Sequence, residues 1–276
     1  MDRTVQHPIA APDSLIAVRT FQPTAPRPGA SWRPGLAPLT APLPHFRRPA
    51  ARRLCRCLML TLGQQVEVEH RERLAAVPEP AIFALNHANS LEALLAPTVL
   101  LYLRGGSPLH FLADWMFVEA PGLGWLLRQS EPIPVYSKPA RFRLRESYRR
   151  ERLRRPVLDV CRERLACGES IGIFPEGTRN RDRRRLLRGR LGLGELALDA
   201  AVPVVPVAIR YPHRAAAASR CRMVLSILEP LDFSAERRQL AAAPDLRREL
   251  ARRVVDRVMA ALAGSVGKNY RRSEAT

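Results

Sequence analysis

Short apolar runs rich in β-branched residues recur along the chain, separated mostly by longer segments in which apolar residues return every three or four positions. The short runs predict β-strands and the longer periodic segments predict helices. Their alternation is typical of an α/β domain, since helices bury their apolar faces against a sheet. We therefore predict a central, mostly parallel sheet of about seven strands flanked by helices. The predicted strands are residues 66–69, 81–85, 109–113, 133–136, 171–174, 202–209 and 223–228.

The periodic segments have recognisable helix boundaries. Pro156 and Gly168 bracket one of them, as expected for residues that begin and end helices. The last segment places Leu246, Leu250 and Val254 four residues apart, on one face of a helix. The predicted helices are residues 90–103, 115–128, 157–167, 193–201 and 245–262.

The N-terminal residues follow neither pattern. Ten of the 25 prolines fall within residues 1–50, and no hydrophobic period accompanies them. Because such a composition buries little apolar surface, residues 1–45 are predicted to be a disordered, proline-rich tail. Residues 65–265 are predicted to form the folded domain, and residues 266–276 a C-terminal tail.

Arginines and apolar residues alternate at helical spacing between Arg47 and Gly63. This pattern predicts a basic amphipathic helix, which has two interpretations. The helix either lies on an anionic membrane surface or packs on the core as an ordinary surface helix. The domain assignment adopts the first, with residues 46–64 as a membrane-interface helix.

Composition excludes several classes of protein. The chain has 276 residues, of which 46% are hydrophobic and 26% charged, as in globular proteins. Stretches without a charged residue or histidine reach only about ten residues, whereas a membrane-spanning helix needs about 20. The chain shows no apolar leader. We therefore expect a protein bound peripherally to the cytoplasmic face of the inner membrane. The five cysteines form no CxxC pair, and no metal site is predicted.

The formal net charge is +19, carried by 43 arginines and two lysines against 26 acidic residues. Such a charge attracts phosphate, anionic lipid or acidic proteins. Two arginine clusters, at residues 141–155 and 179–190, raise the possibility of nucleic-acid binding. Aromatic residues make up only 6% of the chain, and no nucleic-acid-binding motif is present. The sequence therefore argues against a nucleic-acid partner.

Two segments contain residues suited to chemistry. In the first, His87 follows a predicted buried strand and Glu92 begins the next helix. A carboxylate in this position suits the orientation of a histidine that acts as a general base. Neither Ser90 nor a cysteine stands in a recognisable nucleophile turn, which favours direct transfer over a covalent enzyme intermediate.

In the second segment, an apolar strand stops at Pro175 and is followed by Glu176, Gly177, Thr178 and Arg179. Gly177 permits a tight turn. Backbone N–H groups there, together with the Thr178 hydroxyl and the Arg179 guanidinium, are suited to holding a phosphate.

Together these residues resemble the PlsC-like glycerolipid acyltransferase family, which includes the 1-acylglycerol-3-phosphate acyltransferases. His87 and Glu92 are similar to its first block, in which the carboxylate is usually Asp, and residues 174–179 match its phosphate-binding block. Other similar blocks are residues 121–136, residues 190–192 and residues 202–209. The resemblance covers residues 66–230 and identifies the domain of residues 65–265 as an acyltransferase domain.

The resemblance implies transfer of a fatty acyl group from acyl-CoA or acyl carrier protein to the hydroxyl of a lysophospholipid. His87 would be the general base, oriented by Glu92. The acceptor's phosphate would be bound by Glu176, Gly177, Thr178 and Arg179. Pro203 would shape the acyl or acceptor pocket. No cofactor is implied, because the thioester is already activated.

One departure from the family keeps the acceptor open. Ser137 stands where the second block often has Arg, so Lys138 or Arg141 must substitute, or the acceptor lacks a glycerol phosphate. A lysophosphatidate acceptor is the first prediction. Lyso-ornithine lipid is the alternative without a phosphate, and a non-enzymatic membrane-binding homologue is a further one.

Overall fold

Seven strands form one sheet in the computed structural model of the chain, which describes residues 31–120, 123–139, 143–153, 155–211 and 222–270. Their order across the sheet is β1-β7-β6-β2-β5-β3-β4. Neighbouring strands from β6 to β4 are parallel, whereas β7 runs antiparallel to β6 and β1 runs parallel to β7. The predicted, mostly parallel α/β sheet is confirmed. The strands are β1 (Val66–Glu69), β2 (Ile82–Leu85), β3 (Leu109–Asp114), β4 (Ile133–Val135), β5 (Ser170–Ile173), β6 (Val204–Arg210) and β7 (Met223–Ile227).

Helices connect and cover these strands. The segment predicted as one helix over residues 115–128 forms two helices, and the residues between them include Pro121, which lacks the N–H that a continuing helix needs. The described α-helices are α1 (Ala37–Thr40), α2 (Pro49–Thr61), α3 (Arg73–Ala76), α4 (Glu92–Leu103), α5 (Trp115–Val118), α6 (Leu123–Arg128), α7 (Arg143–Arg152), α8 (Val157–Ala166), α9 (Gly192–Asp199), α10 (Ser234–Ala242) and α11 (Arg247–Val266). None of the helices in the described ranges has the length and apolar character required to cross a bilayer.

The sheet is buried on both faces. Along β2, Ile82 and Ala84 point to a core formed with α8, α9 and α11. Phe83 and Leu85 point to the opposite core, formed with α2 and α4. Because successive side chains of a strand face opposite sides, a strand covered on both faces needs a continuous apolar run. This requirement explains why the central strands could be recognised in the sequence.

The carboxyl ends of the five parallel strands β6, β2, β5, β3 and β4 meet at one edge, here called the carboxyl edge. Open α/β sheets bind their ligands at this edge, in the loops that follow the strands. Both sequence segments with candidate chemistry lie there, one after β2 and the other after β5.

Residues 31–45 are folded, so the prediction of a disordered tail is wrong for this part. Trp32 exchanges two backbone hydrogen bonds of 2.8 Å with Val68 of β1. Leu43 is buried in the core beside α2, and the His45 amide donates to Gly105 at 3.0 Å. The few apolar residues among the prolines bury enough surface to hold this segment. Residues 1–30 lie outside the described residues.

The apolar face of α2 packs on α4 through Ala51, Cys55 and Met59, all of them buried. Of the two interpretations of this helix, the structure shows packing on the core. Ala51, Cys55 and Met59 are therefore not free to enter a membrane, whereas Leu54, Leu58 and Leu62 are only partly buried, and membrane contact by residues 46–64 stays a prediction.

The C-terminal tail assignment also needs correction. Val266 is still part of α11, and Asn269 pairs with the loop after β5 by donating to Arg184 O at 2.8 Å and accepting from Leu186 N at 3.0 Å. The Tyr270 hydroxyl donates to Asp256 at 2.6 Å. Residues 266–270 therefore belong to the fold, and residues 271–276 lie outside the described residues.

Candidate active site

The end of β2 is fixed by a buried asparagine. The Asn86 amide donates to Ile209 O at 2.9 Å and accepts from Ile209 N at 2.7 Å. Both polar atoms of the buried Asn86 side chain therefore have hydrogen-bond partners. These two bonds hold the end of β2 to the neighbouring β6 at the carboxyl edge. The next residue, His87, is held at a defined position above the sheet.

His87 and Glu92 form the predicted pair. The His87 Nδ1 atom lies 2.9 Å from Glu92 Oε2, and Ala88 N donates to the same oxygen at 2.7 Å. Glu92 is completely buried in the first turn of α4. An ionised carboxylate can only accept, so the hydrogen of the neutral ring is on Nδ1 and Nε2 has a free lone pair. Within the described residues, no protein group bonds to Nε2.

An aromatic ring supports the histidine. The Phe174 and His87 ring centroids are 4.5 Å apart, and Phe111 packs behind Phe174 at 5.8 Å. The apolar contact on one ring face and the carboxylate at Nδ1 together restrict rotation of the imidazole. His87 therefore has one orientation in which its free nitrogen can meet a substrate.

Glu176 joins the loops after β2 and β5. Its two carboxylate oxygens accept from His87 N at 3.0 Å and from Leu187 N at 2.9 Å, and the residue is buried. Asn180 N donates to His87 O at 2.7 Å, so both backbone polar groups of His87 are bonded to this second loop. The Glu176 carboxylate thus holds the backbone of the site, and contact with a substrate stays a prediction.

The turn after β5 depends on Gly177. Its φ of +66° lies in the left-handed region that favours glycine. A Cβ atom there would stand 2.1 Å from Arg190 Nε. Glycine therefore permits both the turn and the close approach of Arg190, whose guanidinium has no hydrogen-bond partner among the described residues.

Arg179 joins the two predicted segments at the surface. Its Nη1 atom donates to the Ser90 hydroxyl at 2.6 Å, and both residues are exposed. Thr178 is exposed on the same turn. The carboxyl edge therefore presents Arg179 and Arg190 beside the histidine, a combination suited to a substrate with an anionic group.

This geometry can be set beside known proteins. The sequence profile of the Acyltransferase family matches residues 65–210, which is more than half of the chain. The chain belongs to the Acyltransferase family. This confirms the family resemblance inferred from the sequence motifs.

Curated proteins that are similar in sequence to this Acyltransferase family member are named 1-acyl-sn-glycerol-3-phosphate acyltransferases. The chloroplastic 1-acyl-sn-glycerol-3-phosphate acyltransferase of Arabidopsis thaliana is 26% identical over 145 residues, which cover 52% of this chain and 36% of the relative. The 1-acyl-sn-glycerol-3-phosphate acyltransferase of Haemophilus influenzae is 38% identical over 68 residues, 24% of this chain and 28% of the relative. The chain thus spans about a third of the length of these relatives.

A solved structure is also similar. The crystal structure of the 1-acyl-sn-glycerophosphate acyltransferase PlsC from Thermotoga maritima matches 77% of this chain and 78% of its own, with a TM-score of 0.46 and 22% identity.

Two of the predicted site residues are not brought to His87. Lys138 lies at the same edge after β4, but its Nζ pairs with Asp114 Oδ2 at 2.6 Å, roughly 10 Å across the sheet from β2. Pro203 lies at the opposite edge, where its carbonyl accepts from Ile82 N at 3.0 Å. The register places Pro203 level with Ala81, six residues before His87, which at about 3.3 Å per residue is roughly 20 Å along β2.

Sequence reasoning missed Tyr211, which directly follows β6. Its hydroxyl donates to Glu92 Oε1 at 2.6 Å. Burial of the hydroxyl, its hydrogen bond to Glu92 and the negative charge of that carboxylate raise the pKa of Tyr211. The phenol is therefore a neutral donor to Glu92. Its position at the carboxyl end of a strand was the signal that could have identified it.

The described residues contain no cluster of three or more His, Cys, Asp or Glu side chains suited to holding a metal ion. The arrangement at the carboxyl edge places a carboxylate-paired histidine beside guanidinium groups. Such a set is chemically suited to taking a proton from a hydroxyl group and to attracting an anionic group.

Proposed function

We propose that the protein is an acyltransferase that moves a fatty acyl group from a thioester to the free hydroxyl of a lysophospholipid. The observation that carries this proposal is His87, with Nδ1 on a fully buried carboxylate and Nε2 unpaired within the described residues. A histidine held in this way is suited to deprotonating a neutral hydroxyl. The named relatives support the same reaction class.

The reaction follows from this geometry. His87 Nε2 takes the proton of the acceptor hydroxyl while its oxygen attacks the thioester carbonyl carbon, and Glu92 stabilises the resulting imidazolium. Collapse of the tetrahedral intermediate breaks the C–S bond and forms the ester. The departing thiolate takes the proton from His87. The bond between the Ser90 hydroxyl and Arg179 supports direct transfer without an acyl-serine.

The first-choice acceptor is 1-acylglycerol-3-phosphate, which would give phosphatidic acid. Arg179 and Arg190 supply two guanidinium groups at the turn of Gly177, and Thr178 supplies a hydroxyl. A phosphate monoester is the headgroup that this set fits best, because guanidinium forks bind its oxygens in pairs.

One observation favours a second acceptor class. Lys138, the candidate replacement for the family's arginine, is already paired with Asp114. If that pair persists with substrate bound, one phosphate ligand is lost, and a phosphate-free lysolipid such as lyso-ornithine lipid becomes the better acceptor.

The donor is acyl-CoA or acyl carrier protein, and no cofactor is required because a thioester is an activated acyl group. Both donors are anionic. The loop between β5 and α9 exposes arginines at the carboxyl edge, which suits a negatively charged donor or membrane. These exposed residues are Arg181, Arg183, Arg184, Arg185 and Arg188.

A membrane-docking surface at the carboxyl edge would bring lipid acceptors to His87, on the cytoplasmic face of the inner membrane. Leu36 and Leu39 are 75% and 56% exposed on and beside α1. The residue before Leu36 is held to the turn that follows α2, because Gln64 Nε2 donates to Gly35 O. The next residue, Gln65, accepts through its carbonyl from Arg222 N, just before β7. The start of β7 lies next to the end of β6, at the carboxyl edge. The two leucines therefore lie near the carboxyl edge, and Leu91 is also exposed there.

The double variant Leu36→Ser/Leu39→Ser should bind anionic vesicles several-fold more weakly, since it removes apolar contact and leaves the charge unchanged. Co-sedimentation with phosphatidylglycerol vesicles measures the effect. Ala75→Ser/Ala76→Ser changes two exposed residues at the other edge and is the matched control. Equal binding by all three proteins would place the anchor elsewhere. Deleting the N-terminus is less informative, because Met59 is in the core.

Arg179→Lys tests the proposed function through the acceptor. An ammonium group cannot make the two parallel bonds of a guanidinium. The kcat/KM for lysophosphatidate should therefore fall roughly tenfold, which corresponds to a loss of about 1.5 kcal/mol in transition-state stabilisation. The thioester KM should be nearly unchanged. The assay compares lysophosphatidate with a phosphate-free lysolipid, in wild type and variant.

A loss confined to the phosphorylated acceptor supports phosphate binding by Arg179. Equal losses on both acceptors would make Arg179 a structural residue of the turn. A wild type active only on the phosphate-free acceptor would favour the second acceptor class, and a wild type inactive on every lysolipid would contradict the acyltransferase proposal.

A further inference from the structure

The Glu92 carboxylate accepts three hydrogen bonds, and they are divided unevenly between its oxygens. Oε2 accepts from His87 Nδ1 at 2.9 Å and from Ala88 N at 2.7 Å. Oε1 accepts from the Tyr211 hydroxyl at 2.6 Å. Because Glu92 is completely buried, no water replaces a missing donor. Among the described residues, Tyr211 is the sole donor to Oε1.

The strand register brings Tyr211 to this position. Asn86 binds both backbone groups of Ile209 in β6, two residues before Tyr211, which directly follows that strand. The tyrosine is 41% exposed overall, while its hydroxyl reaches the buried carboxylate. The Glu92 carboxylate thus contacts the histidine, the Ala88 amide and the tyrosine together.

We propose that Tyr211 is a positioning residue of the acyl-transfer reaction, acting through Glu92 to fix the charge and orientation that this carboxylate presents to His87. This inference rests on the proposed function, in which His87 is the general base. Tyr211 does not itself contact the reacting atoms. It determines how Glu92 aligns the imidazole and how strongly it stabilises the imidazolium.

The hydroxyl has a definite effect on His87. By donating to Oε1 it withdraws part of the carboxylate's negative charge, which weakens the attraction between Glu92 and the imidazolium. Without the hydroxyl, the carboxylate faces His87 with more of its charge, and the protonated ring is stabilised. Since a protonated His87 cannot act as a base, the acidic limb of the rate profile then moves to higher pH.

Tyr211→Phe tests this inference, because it removes only the hydroxyl and keeps the ring. We expect kcat/KM at neutral pH to fall roughly tenfold, the worth of one hydrogen bond to a charged group. Most of the loss should be in kcat, and the acidic limb should move to higher pH. Tyr270→Phe removes another tyrosine–carboxylate bond, to Asp256 at 2.6 Å, which includes neither Glu92 nor His87. This control should leave kcat and the pH profile unchanged.

A double-mutant cycle separates positioning from a general structural effect. If Tyr211 acts through Glu92, Tyr211→Phe should cost little further activity in a Glu92→Gln background, because the charge that it modulates is absent. Undiminished loss in that background, or a loss at all pH values without movement of the acidic limb, would overturn the inference.

NMR titration of the His87 ring in isotope-labelled protein measures the same coupling without an activity assay. The His87 signals, assigned by their absence in His87→Ala, should titrate at higher pH in Tyr211→Phe than in wild type. A shift of the titration in a protein without acyltransferase activity would support the Tyr211–Glu92–His87 coupling and contradict the proposed function. An unmoved titration in an active enzyme would contradict the coupling alone.

Discussion

His87→Ala is expected to lower acyl transfer by roughly 10²–10⁴-fold, the range typical for loss of a general base. The loss should appear in kcat, because the substituted ring acts on the hydroxyl proton and does not bind either substrate's charged groups. The ring is 15% exposed, packs on Phe174 and donates to the buried Glu92, so the variant should also lower the free energy of unfolding, and the rate is compared at a temperature where both proteins are folded. Single-turnover assays with a labelled thioester and lysophosphatidate measure the effect on chemistry directly.

The control for this variant is a histidine outside the site. His70 follows β1 in the left-handed region, with a φ of 57°, a conformation that asparagine also tolerates. His70→Asn should retain the wild-type rate. A His87→Ala protein with full activity and unchanged acceptor affinity would remove the general-base assignment, whatever the behaviour of the control.

The sheet could be predicted because its central strands are covered on both faces. Residues such as Phe83 and Val205 belong to one core while their neighbours belong to the other, which forces continuous apolar runs. Residues 31–45 were missed for the opposite reason. Trp32, Leu43 and Phe46 are too widely spaced to create a period, although each packs on the core beside α2.

Among the described helices that were missed, α7 and α10 are the longest, and composition explains both. α7 carries several arginines and has no apolar stripe, so its sequence is typical of a solvated segment. α10 buries Glu236, which pairs with Arg257 of α11 at 2.6 Å. Contact between charged side chains on different elements leaves no hydrophobic period that a sequence pattern could reveal.

The candidate site was predictable where motif and topology agree. His87, Glu92 and Arg179 follow strands β2 and β5, whose carboxyl ends meet at one edge. Pro203 belongs to residues 202–209, which are also similar to a block of the family. It precedes β6, however, and therefore lies at the other edge of the sheet. Tyr211 directly follows that same strand and reaches Glu92. A residue therefore joined the site when it lay at the carboxyl end of its strand, and not when it lay at the amino end.

Glu176→Gln is expected to lower kcat/KM about 100-fold and to reduce the free energy of unfolding by roughly 2–3 kcal/mol. Both carboxylate oxygens accept backbone N–H bonds, from His87 and Leu187. The amide of glutamine would place an NH₂ group against one of these donors and leave a buried group unsatisfied. A small displacement of the loop that carries His87 is sufficient for a rate loss of this size.

This variant also distinguishes two roles for Glu176. If the carboxylate contacts the acceptor's phosphate, Glu176→Gln should remove a like-charge repulsion and lower the KM for lysophosphatidate alone. If it holds the loops, the loss should be equal for phosphorylated and phosphate-free acceptors and accompanied by a lower Tm. Glu163→Gln, at an exposed carboxylate on α8, is the control for loss of one negative charge and should change neither quantity. Because Arg179→Lys should affect only the phosphorylated acceptor, kinetics on the two acceptors separate a residue that positions His87 from one that binds the phosphate.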